Sequence, residues 1–301
     1  MSEKVERVLS HYAGESAGVI GNLRRLMMHG DIGGTGKLVI LPVDQGFEHG
    51  PVRSFGAFPA GYDPEYHVSL AVESGCSAYA APVGFLDVVA AKYAGKIPLI
   101  LKVNNSDLLG GPEAPHSAVT STVEDALRLG CSAVGFTIYP GSSARNAMYG
   151  EARELIQAAR KVGLPTILWA YARGAMSKDG ETGLDTIAYA AHVACELGAH
   201  VVKVKAPTDF IEAKDVARLY ETVPKTTLSE RIRHVVQSSF QGKRIVIFSG
   251  GATKGTDDVL KDLREIAAGG GFGTIMGRNA FQRPRAEGVA LLREAIRIFK
   301  A

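Results

Sequence analysis

Eight short apolar runs recur along this chain, each continuous rather than alternating: 37–43 (KLVILPV), 78–83 (AYAAPV), 97–103 (IPLILKV), 132–138 (SAVGFTI), 164–171 (LPTILWAY), 200–206 (HVVKVKA), 243–248 (KRIVIF) and 273–277 (GTIMG). Strands of a parallel sheet have this texture when helices cover one face and a packed core fills the other. Segments of helical spacing lie between them, at 122–129, 151–161, 185–197, 256–268 and 286–300. Gly75, Gly130 and Gly198 each stand where a helix would end before the next strand, the place of a left-handed C-cap. Strand followed by helix, eight times over, predicts a single (β/α)8 TIM barrel spanning 37–301, preferred to an open doubly wound sheet. Residues 1–36, with an amphipathic stretch at 17–28, form an N-terminal helical extension expected to cap the bottom of the barrel or meet a neighbouring subunit.

The bulk properties agree with such a barrel. Hydrophobic residues make up 46% of the 301-residue chain and charged residues 22%, enough for a large core. The net charge of +3 arises from bases spread along the sequence, which argues against a nucleic-acid-binding arm. Cys76, Cys131 and Cys195 form no CxxC pair, and the eight histidines show no HxH or HxxxH spacing. Neither a disulfide framework nor a metal centre is expected. No apolar run approaches the roughly 18 residues of a membrane span, and the charged N-terminus lacks a signal-peptide core. The expectation is a cytoplasmic protein with no membrane partner.

In this architecture the active site forms at the C-terminal ends of the strands. Asp44, Glu48 and His49 follow strand 1, Lys102 lies in strand 3, Trp169 and Tyr171 in strand 5, and Lys203 and Lys205 in strand 6. Two lysines two residues apart share one face of a strand. If Val202 and Val204 face the helices, both amines face the interior, where burial and mutual repulsion should leave at least one partly neutral and able to attack a carbonyl. The alternative is that both reach a rim or pair with Asp44 and Glu48 as structural ions. Tyr171 could shuttle a proton beside an imine, or be an ordinary core tyrosine. Ser249, Gly250 and Gly251 after strand 7, and Gly277 with Arg278 after strand 8, occupy the loops where barrels of this kind bind phosphate. GDIGGTGKL at 30–38 has the wrong spacing for a nucleotide loop, and GGGFG at 269–273 leads into a strand rather than a helix, so both are read as turns.

At LPVDQGFEHGP (41–51) the chain resembles the class I fructose-bisphosphate aldolases of the archaeal and bacterial (DhnA) type. LILKVN, FTIYPGS, LWAYARG, VVKVKAP, FSGG and MGRN follow in the order of that family over residues 35–285. The resemblance implies a metal-independent, cofactor-free cleavage of fructose 1,6-bisphosphate. Lys203 would be the Schiff-base lysine, Tyr171 the proton-transferring phenol, and Asp44 the aspartate assisting imine formation. Trp169 would shape the substrate pocket, and Ser249, Gly250, Gly251, Gly277 and Arg278 would hold phosphate; Lys205, His49 and Lys102 are added as substrate contacts from their places at the strand ends alone. It also implies a ring-like homo-oligomer, often a decamer. Gln45 and Ala206-Pro207 depart from the family pattern of His and Tyr-Thr. Two alternatives follow: another Schiff-base aldolase or transferase, such as an aminodeoxy-heptulosonate synthase, and a non-catalytic sugar-phosphate-binding barrel.

Overall fold

The computed structural model describes residues 2–109, 114–249 and 254–301. Eight parallel strands close into a barrel in sequential order: β1 (Leu38–Pro42), β2 (Ala78–Pro82), β3 (Leu99–Lys102), β4 (Ala133–Ile138), β5 (Thr166–Ala170), β6 (Val201–Lys205), β7 (Ile245–Ser249) and β8 (Gly273–Ile275). All eight apolar runs are strands. The glycine C-caps also take the expected left-handed form, with φ of +74° at Gly75, +66° at Gly130 and +100° at Gly198. Helices Leu184–Leu197, Thr256–Ala268 and Arg285–Lys300 match their expected bounds closely. Arg145–Lys161 begins six residues earlier than its pattern suggested, because its first turns are polar and contain Gly150. Helices Pro64–Glu73, Val83–Tyr93, Val123–Arg128 and Leu228–Ser238 complete the outer layer.

Alternation along the strands creates two cores. Val202 and Val204 pack outward with the helices, as do Leu41, Leu101, Phe136 and Phe248. Val201, Ile40, Ile100, Ile167, Ile247 and Trp169 point inward and form the barrel interior. The lower end of that interior is closed by helices Glu3–Leu9 and Ala17–Met28, whose Val5, Leu9, Leu23, Leu26 and Met27 join the same cluster. Ser16 starts the second of these helices by accepting the Val19 amide at 3.3 Å. Each fully buried aliphatic side chain contributes about 1.5–3 kcal/mol to holding this plug in place. Tyr12 locks it with two hydrogen bonds, donating to the His200 carbonyl at 2.6 Å and accepting from the Ile245 amide at 3.0 Å. Gly18 meets Gly163 so closely that a Cβ at Gly18 would lie 2.8 Å from the Gly163 Cα, so the helix can approach only without a side chain there.

The two glycine-rich stretches set aside above also belong to this lower end. Lys37 donates to the Gly271 carbonyl at 2.8 Å and lies over the Phe272 ring, far from the strand C-termini.

Candidate active site

The period-2 rule that sends Val201 into the lower interior carries Lys203 and Lys205 up the same face. Lys203 is 5% exposed. Its amine lies 5.1 Å from the centroid of the Trp169 ring and 5.4 Å from that of Tyr171, both on neighbouring β5 or just beyond it. The register pairs Trp169 with Lys203 directly. Space for the indole comes from β4: a Cβ on Gly135 would stand 2.2 Å from Trp169 Cζ3, so only glycine admits the ring there. Burial pushes the Lys203 amine down to about 8, with Lys102 and Arg278 adding to the effect and Asp44 and Glu48 opposing it.

Lys102 sits deeper, 1% exposed, its amine also near the indole at 5.6 Å from the ring centroid. It donates to the carbonyl and to Oδ1 of Asn104, and Asn104 in turn grips Thr137 through both of its backbone polar groups, at 2.7 and 2.9 Å. Lys102 is therefore a buried amine beneath the cleft, tied to β3 and β4, and not a group on the cleft wall. Trp169 likewise forms floor rather than wall. Burial lowers Lys102 as well, against the pull of Asp44 and Glu48.

Above this floor opens a cleft lined by Asp44, Glu48, His49, Tyr171, Arg173, Lys203, Lys205, Ser249, Gly277 and Arg278, with Gln45 and Asn279 beside them. Gly250 and Gly251 lie outside the described residues. The other site residues expected from sequence, except Lys102 and Trp169, converge here from β1, β5, β6, β7 and β8. Asp44 precedes the short helix Gln45–His49, in which the Glu48 amide donates to the Asp44 carbonyl at 3.2 Å. That turn brings both carboxylates to one wall. Burial, followed by the Asp44 charge, pushes Glu48 up to about 7. Tyr171 is held well above the usual phenol value by burial first and then by Glu48 and Asp44. His49 is lowered by burial and by Arg278 and Arg53, so its imidazole is neutral at neutral pH.

The structural-ion alternative for the two lysines divides between them. Lys205 pairs with Glu181 at 3.5 Å, at the rim, whereas Lys203 makes no ion pair with any described carboxylate. Two contributors were not singled out from sequence. Arg173 continues the Trp169, Tyr171 alternation and stacks between Tyr139 at 5.1 Å and Tyr171 at 5.8 Å, a position that period-2 extrapolation past the strand would have found. Glu181, far from Lys205 in sequence, carries no local signal. Glu48 was noted after strand 1 but given no catalytic role.

Similarity to known proteins bears on this arrangement. A model of the DeoC/LacD family aldolases matches residues 38–283. The chain is 39% identical over 289 residues to a probable fructose-bisphosphate aldolase class 1 of Chlamydia muridarum, covering 91% of this chain and 82% of that one. It is 38% identical over 250 residues to a fructose-bisphosphate aldolase class 1 of Thermoproteus tenax, covering 82% and 84%. A solved archaeal fructose-1,6-bisphosphate aldolase, its catalytic lysine bound to the carbinolamine intermediate of the substrate, superposes with a TM-score of 0.77. Its identity is 31%, covering 93% of this chain and 99% of the other.

Proposed function

Because this chain belongs to the DeoC/LacD family of aldolases, we propose that it is a class I fructose-bisphosphate aldolase, cleaving fructose 1,6-bisphosphate reversibly to dihydroxyacetone phosphate and glyceraldehyde 3-phosphate. The observation that carries this reading is the state of Lys203: a buried amine, lowered to about 8, seated on two aromatic rings with no ion pair among the described residues, at the mouth of a barrel. Such an amine is neutral often enough at pH 7 to attack a ketone, and an imine nitrogen then supplies the electron sink for carbon–carbon cleavage.

The remaining groups divide the work. Asp44 orients the C2 oxygen and assists loss of water from the carbinolamine. Tyr171 is a neutral phenol in the resting site. The iminium places a fixed positive charge where a neutral amine stood, which favours ionisation of the phenol and lets it take the C4 hydroxyl proton as the C3–C4 bond breaks. A proton returned to the enamine carbon precedes hydrolysis to dihydroxyacetone phosphate. Arg173, Lys203, Lys205 and Arg278 against Asp44 and Glu48 leave the cleft with four basic and two acidic side chains, a balance suited to a bisphosphate. Ser249, Gly277 and Arg278 form one phosphate subsite, together with Gly250 and Gly251, and Lys205 and His49 serve the other.

Among the described residues no helix is long and apolar enough to cross a membrane. The resemblance to the family extends the reading to a cytoplasmic homo-oligomer serving glycolysis and gluconeogenesis. Purified protein incubated with fructose 1,6-bisphosphate in a coupled triose-phosphate assay tests it: turnover is expected. Binding without turnover would favour the sugar-phosphate-binding barrel, and turnover only with other ketose phosphates would favour a different Schiff-base lyase.

A further inference from the structure

On the flank of the barrel, helices Leu184–Leu197 and Leu228–Ser238 and the segment 213–220 enclose a second cavity of about 610 Å³, which shares no lining residue with the cleft. Its size is that of a small-molecule site, roughly 300–1,000 Å³. The rings of Tyr189, His192, Tyr220 and Phe240 form much of its wall, beside the carboxylates of Asp185 and Asp215. No lysine or arginine is among the described residues that line it.

The two carboxylates lack counter-ions. Asp185 is 6% exposed and accepts the Glu212 and Ala213 amides at 3.1 and 2.8 Å, which fastens that segment but leaves each oxygen a further lone pair. It pairs with no described cation, and Asp215, at the rim, makes no hydrogen bond or ion pair with any described residue. Arg244 lies 5.5 Å from the Phe240 ring centroid, outside the wall, and donates to the carbonyls of His11 and Lys243. The field inside the cavity is therefore opposite in sign to that of the basic cleft.

The wall is also held in an unusual backbone. Phe240 and Gln241 both have φ of +58°, and Gly242 follows at +75°, so three successive residues are left-handed where the helix Leu228–Ser238 ends. Glycine alone takes that conformation without strain, and strain of this kind gathers at ligand sites. The turn is fixed by bonds from the Gln241 amide to Gln237 and from the Gly242 amide to Val236, at 2.9 and 3.0 Å. It sets the Phe240 ring edge-on to His192, 5.6 Å between centroids, and His192 Nδ1 donates to the Ser238 carbonyl at 2.7 Å.

We propose that this cavity is a binding site for a planar aromatic molecule that carries an amine, its ring among the aromatic side chains and its ammonium toward Asp185 and Asp215. The rings favour both the flat body and the cation, and the unpaired carboxylates reject anions, sugar phosphates included.

Titration calorimetry with tryptamine and indole-3-propionate tests this, since the two carry one indole on a two-carbon tether that ends in an ammonium or a carboxylate. Tryptamine should bind about tenfold or more tightly than the acid, and inorganic phosphate should not displace it. Asp215→Asn should narrow the preference, and Tyr189→Ala, at a ring 71% exposed, should weaken tryptamine without unfolding the chain. Absence of tryptamine binding at millimolar concentration, equal affinity for the two compounds, or displacement by phosphate would overturn the proposal. So would unchanged binding in both variants. A Tyr189→Ala protein that sediments as a smaller species than the wild type would assign the cavity to a contact between copies of this chain and overturn it as well.

Discussion

The amine of Lys203 rests 5.1 Å above the ring of Trp169, on the strand beside it, and no described carboxylate pairs with it. An aromatic face offers a cation far less than a carboxylate in direct contact does, so the seat fixes the position of the amine without fixing its charge. That combination is what an imine-forming lysine requires: a defined approach to the carbonyl, and a neutral form within reach of physiological pH.

Removing the amine should therefore raise stability while abolishing activity. The folded-state value of Lys203 is depressed from 10.5 to about 8, so the folded chain holds this proton less tightly than the unfolded chain. The resulting cost to stability is fully present below about pH 8 and is relieved as pH rises toward the unfolded value of 10.5. Lys203→Met should cleave no substrate and should melt higher than the wild type at pH 7. The gain is of order 3 kcal/mol at most, shrinking above pH 8. Thermal or urea unfolding at pH 7 and pH 10 measures it; an unchanged difference between the two pH values would contradict the depressed value.

Tyr171→Phe separates the two halves of the reaction. In the proposed division of roles the phenol serves carbon–carbon cleavage and not the first attack on C2, so dihydroxyacetone phosphate should still be trapped on the lysine by borohydride. Fructose 1,6-bisphosphate cleavage should fall by about 10²–10⁴-fold. Loss of trapping and cleavage in equal measure would assign Tyr171 to imine formation instead.

Gly135→Ala examines the floor. Its new methyl would lie 2.2 Å from Trp169 Cζ3 and 2.5 Å from Cη2, so the indole must move or the strands must part. Overpacking of this kind costs about 1–3 kcal/mol. Because Lys203 stands on the same ring, the loss in kcat should exceed what an equally destabilising substitution away from the site produces, which steady-state kinetics beside a urea melt would show.

At the opposite end of the barrel, Tyr12→Phe removes the donor to the His200 carbonyl and the acceptor for the Ile245 amide. Two buried backbone groups are left without that partner, at a cost of about 1–3 kcal/mol each. The protein should unfold at lower urea with KM and kcat unchanged at permissive temperature. A change in kcat would reveal that the plug reaches the chemistry.

The fold was legible because burial on both faces writes a strand as an unbroken apolar run, and glycines at left-handed C-caps punctuate the repeats. The inward turn of Lys203 followed from the outward turn of Val202 and Val204, since period 2 leaves no other choice. What sequence could not convey was depth and pairing. Lys102 and Trp169 read as site residues at strand ends, yet both lie one layer below the cleft, where Asn104 and the gap at Gly135 receive them. Glu181 reaches Lys205 only because a loop folds back over the barrel mouth. The raised value of the Glu48 carboxyl depends on enclosure that no local pattern records and on the Asp44 charge one turn away. Helix Leu228–Ser238 carries its amphipathic pattern openly but was not singled out.

Trapping by borohydride is the most direct measurement of the central claim. The protein is mixed with dihydroxyacetone phosphate in the presence of a metal chelator, reduced, digested and mapped by peptide mass spectrometry. A triose-phosphate adduct confined to Lys203, formed at the same rate with and without chelator, is the expected result. No adduct on folded protein, or an adduct on Lys102 or Lys205 with Lys203 unmodified, would contradict the assignment of the Schiff base.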